Sequence, residues 1–301
     1  MAYRVTTNLT RGHVEEEGIM KIILSRKGSD SASGGYPSPH FAENGRLLVL
    51  PIPEEKEKNN INSGRTYADL RFDDRLSYLD VMKQLGINKF DSKFVHLDPD
   101  INYSIVSNRN QEWRGLFGQS GNSQTHLRNK GVEKGDLFLF FGWFRDVVNT
   151  DNGYQYVSGT DRHIIWGYLQ VGEIESIHRS KYCEKWKRDH PHYYYRNRKN
   201  NTGYIARDTL SFAPNLPGYG VFNYRDSLVL TCPGQKKRSI WQLPKYFHPN
   251  YGTIMSHHAN ATRWEVDNKH CILHSVGRGQ EFVIEGNEKI NRWAKQLLED
   301  E

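Results

Sequence analysis

Residues 113–145, WRGLFGQSGNSQTHLRNKGVEKGDLFLFFGWFR, decide how this chain is read. The second half carries the apolar run Leu137–Phe144, broken only by Gly142. A run of that length, bounded by polar turn residues, predicts a strand buried on both faces. The first half is rich in Gln, Asn and His and reads as a loop or short helix delivered to the edge of that strand. A polar surface held against a rigid apolar strand is one way to build a site for a flat, hydrogen-bonding ligand such as a nucleobase.

Composition sets the frame around this stretch. The chain has 301 residues, enough for a sizeable core. Its mean hydropathy is −0.76, polar for a folded protein. The missing apolar mass is supplied by 7 Trp, 17 Tyr and 13 Phe. Forty-one basic residues against thirty-five acidic ones leave a net charge of +6. Moderate basicity combined with many rings suits a nucleic acid, whose phosphates take the charge and whose bases take the rings. Cys183, Cys232 and Cys271 are isolated, so the pattern predicts neither a disulfide framework nor a zinc ribbon. No apolar run reaches the roughly 20 residues of a membrane span, and the first 20 residues lack a signal-peptide core. The expectation is a cytoplasmic protein without membrane contact.

Along the chain, residues 1–19 are polar and aperiodic and read as an N-terminal extension outside the fold. Residues 20–301 read as a single domain of the α+β class with a β-rich core and peripheral helices. Lys21–Leu24 predicts a strand that runs into the small-residue loop Ser25–Pro39, where Arg26 and Lys27 bring cations and Asp30 the one carboxylate. The spacing of Leu76, Leu79, Met82 and Leu85 predicts a short helix stopped by Gly86. Phe94–Leu97 is strand-like and ends in Asp98-Pro99-Asp100, two carboxylates around a turn. Further strands are expected at 136–144, 154–157, 163–174, 204–206, 227–231 and 282–284, and a closing helix at 290–298. Glycine within the strands at 136–144 and 163–174 predicts a bulge or a close backbone approach.

Two resemblances follow from these motifs. Gly135-Asp136 opening one strand and Val171-Gly172-Glu173-Ile174 closing another look like the pattern of PUA-like β-barrels, several of which bind modified bases; such a barrel is the candidate architecture of the core. The second covers almost all of the chain from Met20. The ordered succession KIILSRKGSDSASGGYPSP (21–39), HLDPD (96–100), WRGLFGQSGNSQTHL (113–127), GDLFLFFGWFR (135–145), WGYLQVGEI (166–174), HPH (190–192), NNT (200–202), PGQKKRSIWQLP (233–244) and SVGRGQEFV (275–283) resembles the third nucleotide-modification-associated domain family. The resemblance implies work on hypermodified DNA bases at phage-linked defence or modification loci. It implies in particular a DNA glycosylase of the glucosylated-hydroxymethylcytosine class. Ser29 departs from the aromatic residue expected before Asp30, which puts the packing of that loop in question.

Such a glycosylase must stabilise positive charge on the deoxyribose and read a base flipped out of the duplex. Asp30, Asp98 and Asp100, each just after a strand, are the candidate catalytic carboxylates. Gln119, Asn122, Gln124 and His126 are the candidate base readers, with Trp143, Trp113, Phe117 and Phe144 as faces or walls. Arg26, Lys27, Arg145, Lys236, Lys237, Arg238 and Arg278 are the candidate contacts to the DNA backbone. Each also has an ordinary structural reading: core for the aromatic residues, satisfied buried groups for the amides, solvated surface for the cations. His190 and His192 bring no third and fourth metal ligand at a supporting spacing, nor do His257 and His258, so no metal and no cofactor is expected. The expected partner is double-stranded DNA carrying modified bases. A non-catalytic modified-base reader and an enzyme that installs the modification remain as alternatives.

Overall fold

The computed structural model describes residues 20–54, 64–178, 183–194, 198–277 and 279–299. The expected extension at 1–19 and Arg278 lie outside them. The main sheet is built on seven strands: β1 (Ile22–Arg26), β2 (Leu116–Gln119), β3 (Leu137–Thr150), β4 (Arg162–Ser176), β5 (Thr202–Ala206), β6 (Ile254–Met255) and β7 (Glu281–Glu285), in the order β6-β7-β1-β3-β4-β5-β2. Shorter strands pair beside β3 and β4. Four α-helices are described: α1 (Tyr78–Gln84), α2 (Gly121–Asn129), α3 (Pro191–Tyr194) and α4 (Glu288–Glu299). The α+β class with a β-rich core is what the sequence called for.

The apolar run does what its composition dictates. Residues 137–141 of β3 are all fully buried, because β1 pairs parallel on one side, from Ile22 opposite Leu137, and β4 antiparallel on the other. Full burial of each such Leu or Phe side chain is worth about 1.5–3 kcal/mol, so this one strand anchors the core. The amphipathic α4 seals that core with Ile290, Ala294, Leu297 and Leu298. The helix expected near 76–85 forms as α1, started by Ser77, whose hydroxyl accepts the Asp80 N–H while the Asp80 carboxylate accepts in return. It belongs to a second apolar cluster with Leu48, Tyr67, Val95 and Ile105.

Two expectations are corrected. The β-rich core is not a closed barrel: the sheet path ends at β6 and β2, which are unpaired with each other, and these ends have only two and four residues, too little ladder to zip together. Residues 227–231 are not a strand but a 3-10 turn at Asp226–Leu228 followed by single bridges at Val229 and Thr231. The glycine expectation is met. A Cβ on Gly142 would lie 2.7 Å from the Lys27 carbonyl oxygen, so β3 can carry no side chain there if the loop after β1 is to cross it. In β4 the ladder to β3 shifts register between Ile165 and Gly167, a bulge.

Candidate functional site

The loop leaving β1 is a ridge between two clefts. Arg26, Lys27, Gly28 and Asp30 line both. The ridge is tied down locally: the Ser29 hydroxyl donates to the Tyr36 carbonyl at 2.7 Å, and Asp30 Oδ1 accepts the N–H groups of Ala32 and Ser33. Ser29 is buried and fully used, so the departure from an aromatic residue is accommodated by a hydroxyl clamp.

The first cleft, about 320 Å³, is lined by His96, Asp98, Gln119, Ser120, Asn122, Ser123, His192, Arg198 and Gln280 in addition to the ridge. Asp98 sits on its floor with 4% of its side chain exposed. Its Oδ1 accepts the Gly118 N–H at 2.7 Å and lies 3.2 Å from His190 Nε2. His190 Nδ1 accepts the His192 N–H, so a neutral His190 carries its proton on Nε2, towards the carboxylate. Asp98 Oδ2 faces His192 Nε2 at 3.7 Å and His96 Nε2 at 3.9 Å. Burial works against ionisation of Asp98. The His190 imidazole, 3.2 Å away, and the Lys27 charge outweigh it, and hold the carboxyl well below the usual carboxylate range. Burial likewise pushes His192 down to about 3, against the pull of Asp98.

The local sequence explains how these groups meet. Gly118 is the position at which β2 passes beneath His192, and a Cβ there would fall 2.3 Å from the imidazole. His96 ends a short strand (Phe94–His96) paired with Ile52–Glu54, which brings the Glu54 carboxylate 3.1 Å from His96 Nδ1. Asn201 donates to the His192 carbonyl and so presents its Oδ1, at 2.6 Å, to His192 Nδ1.

Beneath Gln119 lies a charged network. The Gln119 amide donates to Glu281 Oε1 at 2.6 Å and its oxygen accepts the Ser120 N–H. Lys27 pairs with the same Glu281 oxygen at 3.0 Å, its Nζ 4.5 Å from the centre of the Phe117 ring. Lys27 is thus a buried member of the cleft rather than an outward cation, because the Glu281 charge needs a partner.

The second cleft, about 460 Å³, is lined by Trp143, Lys236, Lys237, Arg238 and His163 along with the ridge. Lys236 and Lys237 are exposed. Arg238 stacks 4.2 Å above Trp143 and donates to Ser31. Arg26 is turned inward and donates to the carbonyls of Gly277 and Val276. Arg145 stands outside this cleft, paired with Asp161.

The structure therefore divides the expected residues. Asp98, Asp30, Gln119 and Asn122 meet in the first cleft; Trp143 and the 236–238 cations meet in the second, with Asp30 shared. Asp100 is placed elsewhere, clamped by a bidentate pair from Arg109 at 2.6 and 2.7 Å and by the Trp113 indole at 3.2 Å. Gln124 faces the core, where it accepts the Tyr204 hydroxyl at 2.9 Å. His126 reaches Ser256 at 3.0 Å, beside His257, and does not line the cleft. Phe117 and Phe144 are fully buried and have no face to offer. The residues that the sequence reading missed are His96, Glu54, Asn201 and Glu281. His96 had a signal: it stands two before Asp98, as His190 stands two before His192.

Among known proteins, no curated protein and no solved structure matches this chain. No described helix is long and apolar enough to cross a membrane. A family model does match, over residues 21–285, and so spans every residue of both clefts. The chain belongs to the nucleotide modification associated domain 3 family.

Proposed function

We propose that the protein is a DNA glycosylase that excises a hypermodified cytosine of the glucosylated-hydroxymethyl class from phage DNA, with residues 20–301 acting as one unit in the cytoplasm. The observation that carries this reading is Asp98, a carboxylate held anionic on the floor of a cleft large enough for an extruded base. Membership in a family tied to nucleotide modification supports the substrate class.

In the proposed reaction the flipped base enters the first cleft, where Asn122, Ser123 and Arg198 can hydrogen-bond its edge or an attached sugar. The C1′–N bond breaks with its electron pair leaving on the base. Water supplies hydroxide to C1′ and a proton to the base, leaving an abasic site. A carboxyl group that stays ionised is suited to stabilising the positive charge at C1′ and poorly suited to accepting a proton. Trp143 and the exposed cations of the second cleft are positioned to take the neighbouring strand.

The test incubates the protein with duplexes carrying cytosine, hydroxymethylcytosine or glucosylated hydroxymethylcytosine and measures free base and alkali-labile sites. Release from the glucosylated duplex alone is expected. Tight binding without release would replace the glycosylase with a modified-base reader.

A further inference from the structure

We propose that His96, Asp98 and His192 form a binding site for one first-row divalent transition-metal ion on the floor of the first cleft. One ligand atom from each of the three lies within 4.8 Å of the others. The proposal goes beyond the functional reading above: with an ion on Oδ2, Asp98 would hold the metal and would no longer face C1′ as a free carboxylate, and the geometry stands without that reading.

Asp98 Oδ1 accepts the Gly118 N–H and lies 3.2 Å from His190 Nε2, which leaves Oδ2 turned towards two imidazole Nε2 atoms. A neutral imidazole carries one proton, and its location is set by whatever the other nitrogen meets. His96 Nδ1 meets the Glu54 carboxylate, which only accepts, so the proton is on Nδ1. His192 Nδ1 meets the Asn201 oxygen, whose identity is fixed because the Asn201 nitrogen donates to the His192 carbonyl; that proton too is on Nδ1. In the neutral rings, then, both Nε2 atoms point a bare lone pair at a carboxylate oxygen. Three converging lone pairs repel one another, and a cation between them resolves the conflict.

The surroundings have the form that metal-ligating histidines require. A ring N–H given to a carboxylate or carbonyl fixes the tautomer and raises the basicity of the ligating nitrogen. Glu54 is itself held by the Tyr194 hydroxyl at 3.0 Å and by Arg198 at 3.5 Å. Around a tetrahedral ion with bonds of about 2.1 Å, ligand atoms stand about 3.4 Å apart. The 3.7 and 3.9 Å separations close to that with small side-chain rotations. Two imidazoles and one carboxylate leave further coordination positions open, and here the cleft lies in front of them. An ion there would place a Lewis acid where the proposed substrate sits.

The full-length protein, purified without a histidine tag from cells supplied with zinc, iron and cobalt, is analysed for bound metal by mass spectrometry. About one equivalent of a single divalent metal is expected. Stripping with a chelator and reloading with Zn²⁺ or Co²⁺ should restore it and raise the melting temperature. Co²⁺ should show the visible absorption of a low-coordinate nitrogen–oxygen site. His96→Ala and His192→Ala should each abolish loading, and Glu54→Gln should weaken it 10- to 100-fold. His274→Ala, on an exposed strand residue, should load normally. Wild-type protein that binds no divalent metal above background in any of these conditions would overturn the site, whatever the folding of the variants. So would metal that stays bound in a folded His96→Ala/His192→Ala protein. Metal is read without DNA, so the site can fail while base release persists, and base release can fail while the site loads.

Discussion

Glu281 and Lys27 form a buried ion pair at 3.0 Å between the last strand of the main sheet and the loop after the first, with 1% and 9% of their side chains exposed. The same oxygen of Glu281 takes the Gln119 amide, so one carboxylate holds together the ridge, the β2 edge and the sheet. Removing only one partner leaves the other charge buried. Glu281→Ala should therefore lower stability by about 3–5 kcal/mol, and Lys27→Met/Glu281→Leu by clearly less. Urea denaturation of the three proteins decides it; a loss under 1 kcal/mol for the single variant would show that the pair is solvated.

Asp98 and Asp100 are two residues apart and do different work. Asp98→Asn keeps the size of the side chain and removes the charge in the cleft. It should reduce base release at least 100-fold while DNA binding is retained. Asp100→Asn breaks the Arg109 clamp, so its effect should appear in the melting temperature. If Asp100→Asn alone abolished release in a folded protein, the assignment would be reversed.

Gly118 has no room for a side chain because the His192 imidazole lies against it. Gly118→Ala must displace that ring, an overpacking expected to cost about 1–3 kcal/mol. The displaced ring is a floor group of the cleft, so activity should fall further than stability does. Equal activity at saturating DNA in the two folded proteins would mean that the position of His192 does not matter.

Acid should weaken the fold before it reaches the carboxylates. His258 is fully buried, and its Nε2 accepts the Val276 N–H at 3.1 Å. Burial pushes its pKa down to about 4, from an ordinary value near 6.5. Buried His163 is lowered in the same direction, again by burial first. Between pH 6.5 and 4 the unfolded chain binds protons that the folded one refuses. Stability is therefore complete above pH 6.5 and falls as the pH drops through that window, by about 3 kcal/mol for His258 alone. Denaturation midpoints at pH 7.5 and 5 test this, and an unchanged midpoint would contradict the neutral histidines.

Lys236 and Lys237 are exposed beside the stacked Arg238–Trp143 pair. If both meet phosphates, the Lys236→Ala/Lys237→Ala protein should bind all duplexes more weakly, whatever their modification. The slope of log affinity against log salt should shrink by about 2. An unchanged slope would remove the second cleft from the DNA path.

The sequence by itself determined the core and the class. Leu137–Phe141 had to be covered on both sides because nothing in it tolerates water, and the spacing of Ile290, Ala294 and Leu297 had to make a one-faced helix. It also determined where the chemistry-bearing motifs lie, since HLDPD, HPH and the ridge loop are continuous segments. Only the tertiary structure decided which of those groups face one another. Gln124 and Asn122 share a helix, yet one turns to Tyr204 in the core and the other to the cleft, because the sheet passes on only one side. Asp98 and Asp100 look equivalent in sequence until Arg109 claims one and the histidines the other. His96, at a strand end, and His192, on a short helix, are 96 residues apart and no local pattern pairs them; they meet because Asp98 Oδ2 faces both and Gly118 of β2 passes against His192. Local periodicity reports which face of an element is apolar. Which polar groups converge depends on long-range strand register, and no local spacing encodes that.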